Sequence, residues 1–200
     1  MVAAAGGSGA AGAVRVGVRG HRVSTGMPIR RTLQPIARRR IEEAAAALLD
    51  AAPLCAISTI SPRGAAHVHT AYFAWTAAFE IVWLSSPSAR HSRNIADRPT
   101  TAIAVYASAQ QWGRPDRGIQ LFGSSSRLSD SAAREAERCY ARRFPTFESA
   151  GRGDYAFYRF HARRVKLFDE GLFGGGTFVT ARVEGGRVGW ERTEISSSKG

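Results

Sequence analysis

Lysine is nearly missing from this chain: Lys166 and Lys199 are its only two, against 26 arginines in 200 residues. Arginine therefore supplies almost every positive charge, which points to coding bias rather than selection for phosphate-backbone contacts. Cysteine is equally scarce. Cys55 lies in the apolar run Leu54–Ile60 and Cys139 beside Tyr140 in a helical stretch, without the spacing of a metal or redox motif. That excludes a disulfide framework and a zinc signature, and two reduced packing thiols point to the cytoplasm. No apolar run approaches the roughly 18 to 20 residues of a transmembrane helix, so no membrane span is expected. Internal repeats are absent as well.

Acidic residues are missing before Glu42, and Arg15, Arg19, Arg22, Arg30, Arg31, Arg38, Arg39 and Arg40 supply eight units of the formal +12. Such an arm suits nucleic acid or an acidic lipid surface. However, residues 41–200 hold 20 basic against 16 acidic side chains, a net of +4, and no helix-turn-helix, zinc or RNA-binding signature accompanies the arm. Nucleic acid is therefore not the expected partner. The Ala/Gly-rich start lacks the ~7 to 15-residue apolar block of a secretory signal. It reads as a disordered leader over residues 1–30, with Met27 a sensible alternative beginning. The remainder, 44% hydrophobic over the whole chain, is enough for one core. The expectation is one domain over residues 31–195 and a flexible tail over 196–200.

Ile41, Ala45, Leu48, Leu49 and Ala52 recur at helical spacing, predicting a helix over Gln34–Ala52 that caps a sheet and stops at Pro53. Strands are predicted at Leu54–Ile60, Ala66–Trp75, Phe79–Ser86, Thr100–Ala107 and Gly118–Leu128, the first two joined by the turn Ser61–Gly64. A helix over Ser131–Arg143 precedes further strands at Tyr155–Asp169, Thr177–Val183 and Arg187–Trp190, the last pair joined at Gly185 and Gly186. Many antiparallel strands with few helices argue for a closed or nearly closed barrel.

Chemistry concentrates after the third strand. Pro87 ends it, Ser88 is a good N-cap, and a short helix through Arg90, His91, Arg93 and Asn94 runs to Arg98 and Pro99. Free N–H groups and the positive dipole end attract an anion there, with Ser85, Ser86, Arg90 and His91 able to complete a phosphate cradle. The plain alternative is a solvated, Arg-rich surface helix. His67 and His69, two apart on a strand, share one face. Without a third ligand nearby they do not suggest a metal. Gln120 shares a face with Gly118 and Phe122, where a Gln usually finds a polar partner.

The order of these features resembles the FMN-binding split β-barrel of the pyridoxamine 5′-phosphate oxidase-like family. It runs from a strand through Ser85-Ser86, the helix SARHSRNI, the β-branched strand from Thr100 and a loop with Gln111-Trp112-Gly113 to the strand Gly118–Gly123. The likeness extends upstream to His67–Trp75 and downstream to Arg164–Gly174, covering roughly Ile36 to Trp190. It implies a mainly β, Greek-key-like split barrel with a few flanking helices, and a homodimer holding the flavin at the subunit interface. It also makes His67, His69, Thr70 and Tyr72 flavin neighbours and places Ser85, Ser86, Arg90, His91 and Asn94 at the phosphate. His91 stands where the family has Lys, replacing a permanent cation with an imidazole that can still donate a hydrogen bond. Gln120 and Trp112 would reach the flavin from the second subunit, although the family Gln sits two residues earlier, at Gly118 here. Trp112 serves equally well as a loop anchor.

The family's phosphate-binding Tyr and Arg, one helical turn apart on the later helix, correspond to Tyr140 and Phe144. The tail WERTEISSSKG lacks the family's closing Arg-x-His. Vitamin B6 oxidation is accordingly not expected. The reading is an FMN-dependent oxidoreductase that transfers a hydride between flavin and a small organic substrate, with no acid or base residue assigned. The alternatives are an F420-dependent reductase of the same fold and a non-catalytic flavin- or haem-binding protein.

Overall fold

Strict alternation builds the barrel wall. In β2 (Leu54–Ile60), Cys55, Ile57 and Thr59 point inward and are buried, while their neighbours face out. The structure, a computed structural model, describes residues 29–32, 35–106 and 109–196. Around β2 lie β3 (Ala66–Trp75), β4 (Glu80–Ser85), β5 (Thr100–Tyr106), β6 (Arg117–Arg127) and β7 (Ala156–Asp169). The order β7-β4-β3-β2-β5-β6 closes on itself through a β6–β7 ladder, giving a six-stranded antiparallel barrel. β8 (Thr177–Glu184) and β9 (Arg187–Ser196) extend the sheet beyond β7. The fold class is the mainly β split barrel expected.

Closure depends on one glycine. The β6–β7 register shifts between Phe122 and Gly123, and a Cβ at Gly123 would collide with the His161 carbonyl. Only glycine lets the two long strands cross that closely.

Among the described residues four α-helices flank the barrel: α1 (Arg38–Ala51), α2 (Arg90–Asp97), α3 (Asp130–Arg143) and the one-turn α4 (Glu170–Phe173). Ile41, Ala44, Ala45, Leu48 and Leu49 of α1 pack into the main core with Ile57, Trp83, Ile103, Leu121 and Val165. A smaller cluster between α3 and the outside of β4 and β7 joins Val82, Ala136, Cys139, Tyr140 and Phe157. β4 is therefore covered on both faces, which its continuous apolar run required.

Three expectations are corrected. Ile29–Thr32 forms β1, an edge strand paired with Ser196–Thr193 of β9, whereas the sequence placed Ile29 and Arg30 in the leader and Ser196 in the tail. β9 accordingly runs six residues past Trp190. Such a strand is made by pairing with distant residues, and IRRT carries no local signal for it. Third, Ser88 does not cap α2: the cap position is Ala89, with no side-chain cap bond. Residues Ser86 to Ala89 form a tight turn, Ala89 N donating to Ser86 O at 3.1 Å, and this turn delays the helix by one residue. Met27, Gln34 and Ala107 lie outside the described residues.

Candidate functional site

The β4–α2 junction splits the predicted cradle into a buried half and an open half. Ser85 ends β4 facing inward, and its Oγ lies 2.6 Å from His91 Nε2. Asn94 Nδ2 donates to Thr59 Oγ1 at 3.1 Å, tying α2 to β2. Ser85, His91 and Asn94 are all buried. Ser86 Oγ instead pairs with Ser88 Oγ at 2.8 Å, on the exposed side of the turn, and Arg90 is exposed. The first N–H groups of α2 have no intrahelical acceptor.

Beneath that rim lies a group the sequence did not assemble. His67 and His69 project from the inner face of β3 and meet His91 of α2. The His69 and His91 rings stack with centroids 3.5 Å apart and planes 11° apart, and His67 lies 6.2 Å from His69 and 6.4 Å from His91. Both ring nitrogens of His69 and Nδ1 of His67 are buried without a hydrogen-bond partner. Burial, then His91 and His67, pushes His69 down to about 3; burial and His67 push His91 down to about 4. His91 is the third histidine that a metal would require, yet the rings lie face to face instead of converging. Among the described residues no group of three His, Cys, Asp or Glu side chains is arranged to hold a metal.

Thr70 and Tyr72 follow the alternation of β3 to its opposite, outward face, and both are exposed. There they join Gln120, which is exposed and opposite Ala104 and Lys166 in register. Trp112 stands fully exposed in the loop between β5 and β6. Within one chain the predicted residues thus form two sets, His67, His69, Ser85, His91 and Asn94 inside, and Thr70, Tyr72, Trp112 and Gln120 outside, with Ser86 and Arg90 at the rim. The outer face also carries Leu54, Val68, Tyr106 and Phe122, all exposed. A pocket of about 240 Å³ opens beside them, lined by Pro53, Leu54, Cys55, Thr70 and Tyr106 among others.

The end of α3 is aromatic and closed. Tyr140 is buried against Phe144, Phe147 and Phe157, with ring centroids 4.7, 5.2 and 5.7 Å away. Its match to the family's phosphate-binding Tyr is therefore one of position; here it packs in the core. Phe144 in turn meets Tyr72 edge-on at 5.7 Å. Arg143 Nη2 donates to the carbonyls of Leu49 and Ala52, both at 2.7 Å, so that cation is engaged with the end of α1.

The barrel closed through the β6–β7 ladder, with its flanking helices, is a split β-barrel. The family profile described as pyridoxamine 5′-phosphate oxidase matches residues 41–169, and the chain belongs to that family. Solved structures agree on the fold. A Clostridium acetobutylicum protein related to general stress protein 26 of Bacillus subtilis, of the pyridoxinephosphate oxidase family, is 13% identical with a TM-score of 0.55 over 74% of this chain and 97% of its own. A conserved hypothetical protein from Mycobacterium tuberculosis is 14% identical with a TM-score of 0.58 (72% and 92%). A heme binding protein from Mycobacterium smegmatis is 19% identical with a TM-score of 0.55 (76% and 60%). No curated protein matches the chain.

Proposed function

We propose that this chain binds FMN across a homodimer and works as an oxidoreductase on a small, weakly polar organic substrate. The β4–α2 junction carries the reading. It offers the free N–H groups of a helix start, the Ser86 and Ser88 hydroxyls and the exposed Arg90 guanidinium on one rim, a donor set suited to a phosphate monoester. The unpartnered nitrogens of His67 and His69 lie beneath it, and buried polar atoms without partners favour a ligand that supplies them. When bound, FMN would supply hydride exchange at its N5. The protein's part is to hold the phosphate through Ser86 and Arg90, to present Thr70 and Tyr72 at the ring system, and to exclude water.

A second copy completes the arrangement. Leu54, Val68, Tyr72, Tyr106 and Phe122 expose between 40 and 62% of their surface on one sheet face, an apolar patch that supports this reading. Covering it with a second copy would bring Gln120 and Trp112 toward the partner's flavin. The substrate is not pyridoxamine 5′-phosphate on this reading, because Tyr140 is buried, Phe144 replaces a cation and Arg143 is occupied. No described helix is long and apolar enough to cross a membrane. The test is the absorbance spectrum of the purified protein with mass spectrometry of the released cofactor. A flavin spectrum and the mass of FMN support the reading; F420, haem or a colourless protein overturns it.

A further inference from the structure

We propose that the stack of His67, His69 and His91 binds one proton whenever the neighbouring phosphate site fills, so that a phosphate monoester is captured as a phosphate–imidazolium pair. This rests on the FMN reading above and adds its regulation by pH. Three observations carry it. His69 and His91 lie 3.5 Å apart, face to face, a separation at which two imidazolium charges repel strongly, so at most one of the pair is charged. Among the described residues the buried ring nitrogens of His67 and His69 lack a well-aligned hydrogen-bond partner, the nearest influence being the Ile57 backbone beside His69. His91 also lies in the first turn of α2, the turn that offers the anion cradle.

Among the described residues no carboxylate acts on His69 or His91. β3 contributes His67 and His69, and β2 places Thr59 and Ile57 opposite them in register. β4 contributes Ser85, and α2 contributes His91 with Arg90 and Arg93 exposed beyond it. Burial, His91 and His67 lower His69 while the Ile57 backbone raises it, and burial and His67 lower His91. A phosphate carrying about −1.5 to −2 charge would be the missing counter-ion. An opposite charge within ~4 to 6 Å raises a pKa by roughly 1 to 3 units, enough to return a ring held near 4 to the range where it protonates at pH 5 to 7. Only one ring charges, because its neighbour in the stack then cannot. The proton comes from solvent and leaves with the ligand.

Isothermal titration of the full chain with FMN at pH 6 and 7, in buffers of different ionisation enthalpy, counts protons taken up per FMN. Subtracting the same count for His91→Gln and His91→Phe, which remove the ring held near 4, removes the titration of the phosphate itself. The expected result is net uptake in the unaltered protein that the variants lose, with affinity rising toward tenfold per pH unit of acidification only in the unaltered protein. NMR titration of the imidazoles with and without FMN makes the same measurement without a substitution, and the bound form should protonate at higher pH. FMN binding with no proton difference and unmoved imidazole titrations overturns the coupling and leaves the flavin reading standing. Failure to bind FMN at any pH overturns both.

Discussion

Arg143 caps the end of α1 from far along the chain: its Nη2 donates to Ala52 O, 91 residues earlier, at 2.7 Å while its guanidinium lies 4.5 Å from the centre of the Phe73 ring. This binds α3 to α1 and β3 at once. Carbonyls at a helix end lack intrahelical donors, and a cation there satisfies them and complements the dipole. Arg143→Ala should lower stability by about 1.5 to 3 kcal/mol, the range for hydrogen bonds to a charged group, without changing FMN affinity. Chemical denaturation and a flavin titration check the two halves. A substitution that left stability intact and abolished FMN binding would return Arg143 to the site.

Arg90 is the exposed cation at the rim of the phosphate cradle. Arg90→Ala should weaken FMN binding roughly tenfold or more, the loss of one charge-assisted contact. Fluorescence titration with FMN measures it. An unchanged dissociation constant in a folded variant would remove Arg90 from the cradle.

Acid should loosen the protein through the histidine stack. In the unfolded chain His69 and His91 protonate near 6.5, but in the fold they are held down to about 3 and about 4. Between those limits the unfolded state binds more protons, so stability is full above pH 6.5 and falls as pH drops toward 4. The slope is at most about 1.4 kcal/mol per pH unit for each proton, and partial solvent access reduces it. Melting temperatures from pH 7 to 4 should show this decline, flattened in His69→Phe. Parallel profiles for the two proteins would rule out the stack as its source.

The exposed apolar face predicts self-association. Light scattering at micromolar concentration should give a dimer, and Phe122→Asp or Tyr72→Arg should shift it toward monomer and reduce flavin occupancy together. A fully occupied monomer would separate cofactor binding from assembly.

Pyridoxamine 5′-phosphate should be a poor substrate. A phosphate brought against Phe144 and the buried Tyr140 would be desolvated without a cation, at a cost of several kcal/mol. Oxygen uptake and pyridoxal 5′-phosphate formation by FMN-loaded protein give the measurement. Turnover near the ~1 per second of ordinary enzymes would mean that another cation, such as Arg142, takes the role.

Much of this molecule follows from local pattern. The inward set Cys55, Ile57 and Thr59, the α1 stripe from Ile41 to Leu49, and the turn at Gly185-Gly186 are consequences of residue type at period two, at helical period, or at positive φ. Those signals act within a few residues, so the sequence by itself determined the number, order and kind of most elements. It also put Ser86 and Arg90 beside a helix start. What the sequence left open was every relationship made across the barrel. β1 exists because β9 offers a partner edge. Thr70 and His69, neighbours in sequence, face opposite sides of one wall. His91 lies 22 residues from His69 along the chain and 3.5 Å from it in space, and Tyr140 changes from a ligand candidate to a core residue once Phe147 and Phe157 close over it. Closure of the β6–β7 ladder and the docking of α2 and α3 settled these pairings, because burial and ring stacking depend on which surfaces meet, and no spacing along the chain encodes that.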